Sequence, residues 1–566
     1  MTVPGNRSGD PASLSGQAGD ANVHGRFFHF IALLATLPGW RGALVTIVMG
    51  AVAASALPPV YFLPGLLSFS VLAWRLEREM SVTRAALQGW LFGFGYHLAG
   101  LYWISNALLV ESDKFAVFVP LAAVGLPMAL ALFPTAALSL LPKIAAPGWP
   151  RALALALLWS LAEYARGHLF TGFPWNLPAY AFSLSEALSQ TASLVGAYGL
   201  SLIVLMAATS VAMIIGPRRA WSRGPGLLGT ALLVVPAIAW IGGEARLASA
   251  PLAVDTSVVI RLVQGNIPQK DKWKPELRAR HIAQYLDLSR SDTPTARDGG
   301  LPDGAVPTVI IWPETAVPGF LGQSRDLRHA IAAVAPDAGS LVTGAPSISH
   351  GPPRRLHNSL IGVGADGLVN ARYDKVHLVP FGEYVPLKSW LPLPRVVQSF
   401  ADFTPGPERA SLDIAGLGLV SPLICYEIIF PGQVVSANQV GEKADRPKAL
   451  LNLTNDAWYG ASSGPYQHLA ISKMRAIEEG IPLIRAANTG ISGIYDAYGR
   501  TSVQLALGDT GVADGYLPLS SSRHTVYSRI GDCFYFIILS VFAIGILINL
   551  LLYNRKHLTG MASIKG

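Results

Sequence analysis

Serial apolar runs dictate what this chain can become. Seven of them cover about residues 42–57, 59–74, 86–109, 116–141, 150–166, 188–215 and 225–243, and an eighth lies near 531–553. Each approaches the roughly 17–25 residues that a helix needs to cross a bilayer. So many in succession argue against the buried core helices of a water-soluble protein. The first two are the shortest, and Leu57, Pro58 and Pro59 between them predict a tight hairpin. Composition agrees, since 51% of the 566 residues are hydrophobic and only 14% are charged, whereas soluble domains carry about a quarter. The net charge of +8 does not point to nucleic acid. The arginines and lysines sit beside apolar runs rather than along one basic stripe.

Loop charge sets the expected topology. Arg26, Arg41, Arg75, Arg78, Arg84, Lys143, Arg151, Arg218, Arg219, Arg223, Arg555 and Lys556 fall on one side of the alternating runs, against mainly Lys114 and Arg166 on the other. The N-terminus is therefore expected in the cytoplasm and residues 250–525 outside. The expected divisions are a disordered Gly/Ser/Asp/Asn-rich tail (1–25), a membrane domain of seven transmembrane helices (26–247), an outer domain (254–523), an eighth spanning helix (529–554) and a cytoplasmic tail (555–566). Phe27 to Leu37 is too short to span and predicts an interfacial helix. No cleavable signal peptide is evident.

The outer segment alternates β-rich runs (Ser257 to Gln264, Thr308 to Trp312, Ser340 to Thr343, Leu417 to Ile424, Ala449 to Thr454, Ile481 to Ala486) with helical stretches such as Pro275 to Arg290 and Tyr466 to Glu479. That pattern predicts a layered α/β domain. Three residues each follow a strand-like run. Glu314 ends Ile310-Ile311-Trp312-Pro313-Glu314. Lys375 lies among apolar and aromatic neighbours in Tyr373 to Tyr384. Cys425 closes Leu423-Ile424-Cys425 and is followed by Tyr426 and Glu427. Taken singly, each is more ordinary as a loop carboxylate, a surface lysine and a packed thiol. Cys425 and Cys533 make no disulfide framework. No metal-ligand cluster or phosphate-binding glycine loop is present in the sequence, so no cofactor is expected.

Together, Glu314, Lys375 and Cys425 resemble the triad of the nitrilase, or carbon–nitrogen hydrolase, superfamily. The wider pattern is similar to one branch of it, the apolipoprotein N-acyltransferases. The motifs that carry this resemblance are Val263 to Gln269, Trp312-Pro313-Glu314, Lys375 to Pro386, Ile424 to Ile428, Asn455 to Gly460, Gly464 to His468, Met474 to Ala476, Glu163 to Arg166 and Thr171 to Trp175. The resemblance covers about residues 40–553 and implies a multi-pass helical membrane domain joined to an αββα sandwich outside a bacterial inner membrane. It implies a phospholipid such as phosphatidylethanolamine as acyl donor and the α-amine of an S-diacylglyceryl cysteine as acceptor. It makes Glu314 the base, Lys375 the cation and Cys425 the thioester-forming nucleophile, with Glu383 and Glu427 as supporting acids.

Tyr426 and Trp458 are expected to shape the pocket and Asn358 to hydrogen-bond beside it. The apolar segment Val385 to Phe403, with Trp390 and Leu391, reads as a lipid-contacting lid. Nothing in the triad excludes water as the acceptor, so a membrane-tethered hydrolase stays open. So do a degenerate lipid or lipoprotein binder, which would not need all three groups, and a transporter, which would need more intramembrane charge than the spans hold.

Overall fold

A helix stands over each apolar run: Gly39–Ala54, Leu63–Leu76, Val82–Leu101, Ala116–Ile144, Trp149–His168, Ala192–Ile214, Arg223–Ala248 and Cys533–Ile564. The computed structural model describes residues 33–77, 80–110, 112–215, 223–298, 300–349, 351–386, 402–436 and 446–564. The tail 1–25, most of the Phe27 to Leu37 run, and Trp390 and Leu391 lie outside the described residues.

Among the described residues four helices, Ala116–Ile144, Ala192–Ile214, Gly226–Ala248 and Cys533–Lys556, are long and apolar enough to cross a membrane. Leu121, Leu227, Ile241, Val541 and Leu551 are exposed on them, an apolar surface that water would not tolerate at this extent. Irregularities fall where the sequence demands them. Pro120, Pro127, Pro134 and Pro142 each remove a backbone donor, and the helix that holds them includes a π-helical turn at Leu121–Gly125. The run near 59–74 starts its helix late, because the chain must first turn through Ser55–Phe62 before Leu63 can enter helical geometry.

The outer domain is built on β1 (Val254–Gln264), β2 (Ala296–Arg297), β3 (Val309–Ile311), β4 (Ser340–Ile348), β5 (Leu356–Val363), β6 (Val369–Asp374), β7 (Leu412–Ile414), β8 (Gly418–Ile424), β9 (Ala449–Thr454), β10 (Leu483–Ala487), β11 (Ser492–Tyr495), β12 (Thr501–Leu505) and β13 (Gly511–Pro518). One sheet has the order β2-β13-β1-β3-β4-β5-β6 and the other β12-β11-β10-β9-β8-β7. The two face each other across a core that includes Ile260, Leu262, Ile311 and Val342 from the first and Val420, Leu451, Leu453 and Ile484 from the second. Because strand side chains alternate, the opposite faces are also apolar. Val263, Ile310 and Leu341 pack with Tyr285 and Ile331 of the helices Arg278–Ser289 and Arg325–Ala332. Leu423, Leu450 and Leu483 pack under Ile471, Met474 and Ile477 of the helix Ser463–Glu479. The result is the expected αββα sandwich. A charge buried in β1 is paired in the strand beside it: Arg261 donates to both carboxylate oxygens of Asp514 at 2.9 and 2.7 Å.

The helix Ser463–Glu479 joins the two domains. Its outer face shares one core with the membrane helices. Gln467 accepts from the indoles of Trp103 (3.0 Å) and Trp175 (2.8 Å) and donates to the carbonyls of Pro58 and Gly100. Glu478 accepts from the Ala197 N–H at 2.7 Å. The sandwich thus sits directly on the helical domain through buried polar contacts as well as apolar ones.

Candidate active site

The carboxyl ends of β3, β6 and β8 open toward one buried pocket. Beyond β3 the chain turns at Pro313, and Glu314 enters that pocket, almost fully buried. The turn presses on β4 at Gly344. A Cβ there would lie 2.4 Å from the Thr315 nitrogen and 2.6 Å from the Glu314 Cα, so only glycine fits. Lys375 follows β6 and is buried to 1% exposure. Its ammonium lies 2.9 Å from Glu383 Oε2, 3.0 Å from Glu383 Oε1 and 3.8 Å from Glu314 Oε1. Asn358, from the middle of β5, donates to Glu314 Oε1 and to Glu383 Oε1, each at 2.8 Å. One amide thus fixes both carboxylates against the lysine.

Cys425 ends β8 at φ +51, in the left-handed region that non-glycine residues seldom occupy. This sharp turn into the short helix Cys425–Ile429 sets Cys425 close enough to Glu314 and Lys375 for the charges of both to act on its thiol. Glu427 holds the turn. Its Oε2 accepts from the Ile424 N–H at 2.8 Å. Its Oε1 accepts from the Tyr373 hydroxyl, the Val376 and His377 N–H groups and Arg409 at 2.9–3.3 Å. The cysteine turn and the lysine loop therefore share one carboxylate. Glu427→Ala should leave several of these buried donors unpaired and lower stability by about 3 kcal/mol or more, seen as a reduced thermal unfolding midpoint. An unchanged midpoint would show that Glu427 is no anchor.

Burial pushes the Cys425 thiol up to about 12, and the negative charge of Glu314 adds to this against the opposing pull of Lys375. The resting group is the thiol. Burial also raises Glu314 above its usual range, with Lys375 acting the other way. Burial works against the Lys375 ammonium, but Glu383 and Glu314 outweigh it and hold the lysine charged, above the usual lysine range. A carboxyl raised above its usual range, a fixed cation and a protonated thiol form a set able to activate a nucleophile by internal proton transfer.

Tyr426 donates from its hydroxyl to the carbonyl of Gly172 at 2.9 Å, which fastens the residue after the sulfur to the membrane domain. Gly172 has φ +82, and a Cβ there would meet the Gly167 carbonyl at 2.3 Å. The Gly172 to Trp175 segment is held in turn by Arg166, which pairs with Glu163 and donates to the carbonyls of Phe173 and Trp175. Trp458 lies partly buried in the short helix Asp456–Tyr459. Among the described residues it makes no hydrogen bond or ring contact with the groups above, whereas its neighbour Tyr459 packs against Trp103 and Trp175. Cys533 is exposed on the last helix, whereas Cys425 is buried.

Several residues here carried no role in the sequence reading. Lys272 is buried and donates to the Glu314 carbonyl at 2.9 Å; burial lowers its ammonium to about 8, partly offset by Glu314 and Cys425. Its one sequence signal is its place between the Val263 to Gln269 motif and Trp273. Asp456 accepts from Arg485 (2.6 Å) and pairs with His468 (2.9 Å), all fully buried. Burial opposes the Asp456 charge, but Arg485 and His468 bring it down to about 2.

Comparison with known proteins places this geometry. A family model described as the apolipoprotein N-acyltransferase N-terminal domain matches residues 49–210, and a carbon-nitrogen hydrolase model matches residues 260–527. An apolipoprotein N-acyltransferase of Rhodopseudomonas palustris is 38% identical over 512 residues, covering 87% of this chain and 92% of the relative. The chain belongs to the apolipoprotein N-acyltransferase family. Relatives of the same name from Bradyrhizobium diazoefficiens (40% identity; 87% of this chain, 92% of the relative) and Brucella suis (37%; 92% and 98%) agree. As a member of the apolipoprotein N-acyltransferases it is a membrane-bound acyltransferase with a nitrilase-type domain. Among solved structures, an amidase from Nesterenkonia sp. is similar at 21% identity and a TM-score of 0.33, covering 48% of this chain and 94% of that one.

Proposed function

We propose that the enzyme takes a fatty acyl chain from a phospholipid such as phosphatidylethanolamine onto Cys425 and passes it to the α-amine of an S-diacylglyceryl cysteine at a lipoprotein N-terminus. The observation that carries this reading is the buried Glu314–Lys375–Cys425 group, with Tyr426 bonded directly to the membrane domain. Both substrates are lipids, so a nucleophile fixed at the membrane face meets them without drawing either into water.

In the first half-reaction Glu314 takes the proton from the Cys425 Sγ, and the sulfur attacks the ester carbonyl carbon. The charge that develops on the carbonyl oxygen meets Lys375 and the backbone N–H of Tyr426 beside the nucleophile. The bond to the glycerol oxygen breaks, Glu314 protonates that oxygen, and a lysophospholipid leaves. In the second half-reaction the amine, whose unperturbed pKa is about 8, loses a proton to Glu314 as it attacks the thioester. An amide and the free thiol result. Two substrates that use one sulfur in turn give ping-pong kinetics. Glu383 and Asn358 keep Lys375 and Glu314 aligned, and Glu427 holds the cysteine turn. The loop charges support a bacterial inner-membrane location with this domain on the outer side.

The test supplies acyl-labelled phospholipid with and without a diacylglyceryl peptide. Without peptide, mass spectrometry should find an acyl adduct on Cys425. With peptide, the label should move to its N-terminus. Release as free fatty acid in both arms would instead favour the hydrolase.

A further inference from the structure

Lys375 is the cation nearest the candidate base, yet its charge is largely committed. Both oxygens of Glu383 lie within 3.0 Å of its ammonium, and Glu314 is at 3.8 Å. The two carboxylates outnumber the one lysine, so this group alone carries a net negative charge in a buried site. That is a poor place to create a thiolate, because charge–charge repulsion is strong where water is excluded.

Lys272 changes the balance. It is 2% exposed, reaches the pocket from the segment after β1, and donates to the backbone carbonyl of Glu314 at 2.9 Å. Among the described residues no carboxylate pairs with it, and its two remaining N–H donors have no acceptor. Its charge couples to both Glu314 and Cys425, alongside the stronger pull of Lys375 on the sulfur. The other groups facing the sulfur are Asp456, Thr454 and Tyr459. Asp456 has its own partners in Arg485 and His468, so its charge is already met. With Lys272 counted, Glu314, Glu383, Lys375 and Cys425 form a neutral set both before and after the thiol proton moves to Glu314.

We propose that Lys272 is the counter-charge of the Cys425 thiolate, a second cation of the reaction that stabilises the sulfur anion while Lys375 stays bound to Glu383. The step itself is balanced: the S–H bond breaks, the proton forms an O–H bond on the Glu314 carboxylate, and the electron pair stays on sulfur opposite the Lys272 ammonium. The Glu314 carbonyl holds that ammonium in place, so base and counter-charge are positioned by one residue. This rests on the reading of Cys425 as nucleophile.

The test measures alkylation of Cys425 by iodoacetamide in the full-length detergent-solubilised protein, peptide-resolved by mass spectrometry so that Cys533 does not contribute, from pH 6 to pH 10. It needs no lipid substrate. Lys272→Met should slow alkylation at pH 7.5 by about tenfold or more, a shift of the profile by about one pH unit. Thioester formation from phospholipid should slow in proportion. Lys272→Gln retains an N–H for the Glu314 carbonyl but no charge, and should behave like K272M. Lys272→Arg retains the charge and should stay within about threefold of wild type. Wild-type alkylation in K272Q, or in K272M with an unchanged unfolding midpoint, would overturn the proposal. So would an Arg variant as slow as Met, which marks an anchor by shape. If the wild-type protein never carries an acyl group on Cys425, the reading of the nucleophile fails instead, and the alkylation profiles tell the two failures apart.

Discussion

Cys425→Ala is expected to reduce acyl transfer by about 10⁴-fold or more, the scale seen when a nucleophile is removed from a set of groups that act as a unit. Label from phospholipid should no longer stay with the chain. The unfolding midpoint should barely move, because the change removes one sulfur from a small buried site and leaves the hydrogen bonds of the turn, which are made by Glu427 and Tyr426, in place. Serine should restore little, since a hydroxyl ionises far less readily than a thiol. Transfer that persists in the alanine variant, measured as label on a diacylglyceryl peptide, would place the nucleophile elsewhere.

Glu314→Gln should lower kcat by about 10³-fold, within the range for loss of a general base, with KM for phospholipid little changed. The pH dependence gives a sharper check. Burial raises the Glu314 carboxyl above its usual range, and the opposing charge of Lys375 does not cancel this. The base must be ionised to accept a proton, so activity should fall as pH drops through that raised pKa. The acid limb of the kcat profile then lies above the ordinary carboxylate range of about 4. In the glutamine variant the limb should vanish and leave a flat, low rate on that side. A limb that survives would belong to another group. Lys375, held above the usual lysine range by Glu383 and Glu314, should contribute no loss of activity through neutral pH.

What could be seen in advance follows from burial. Strands buried on both faces read as apolar-rich runs, and β1, β3, β4, β8, β9 and β10 were legible in this way even with Arg261, Asn452 and Arg485 inside them. Glu314 and Cys425 stood out because each interrupts the chain just as such a run ends, and Lys375 because it sits among apolar and aromatic neighbours. β5 did not stand out. His357, Asn358 and Ser359 break its apolar pattern, yet the strand is buried throughout because Asn358 serves the two carboxylates and Ser359 bonds Asp374. β13 hid for a similar reason, with Asp514 in its middle awaiting Arg261 from a strand about 250 residues earlier. Lys272, Asp456, His468 and Arg485 look like surface charges in one dimension. Only folding supplies the partners that let them be buried, so their chemistry is a property of the assembled pocket.

The clasp made by Gln467 and Tyr426 bears on how the reacting groups meet. Tyr426 is tied to Gly172, and Gln467 to Trp103, Trp175, Pro58 and Gly100. The position of the sulfur relative to the membrane helices is therefore a constant of the architecture. A substrate must bring its reacting carbonyl to that position, since the fold does not let the sulfur travel out to meet it.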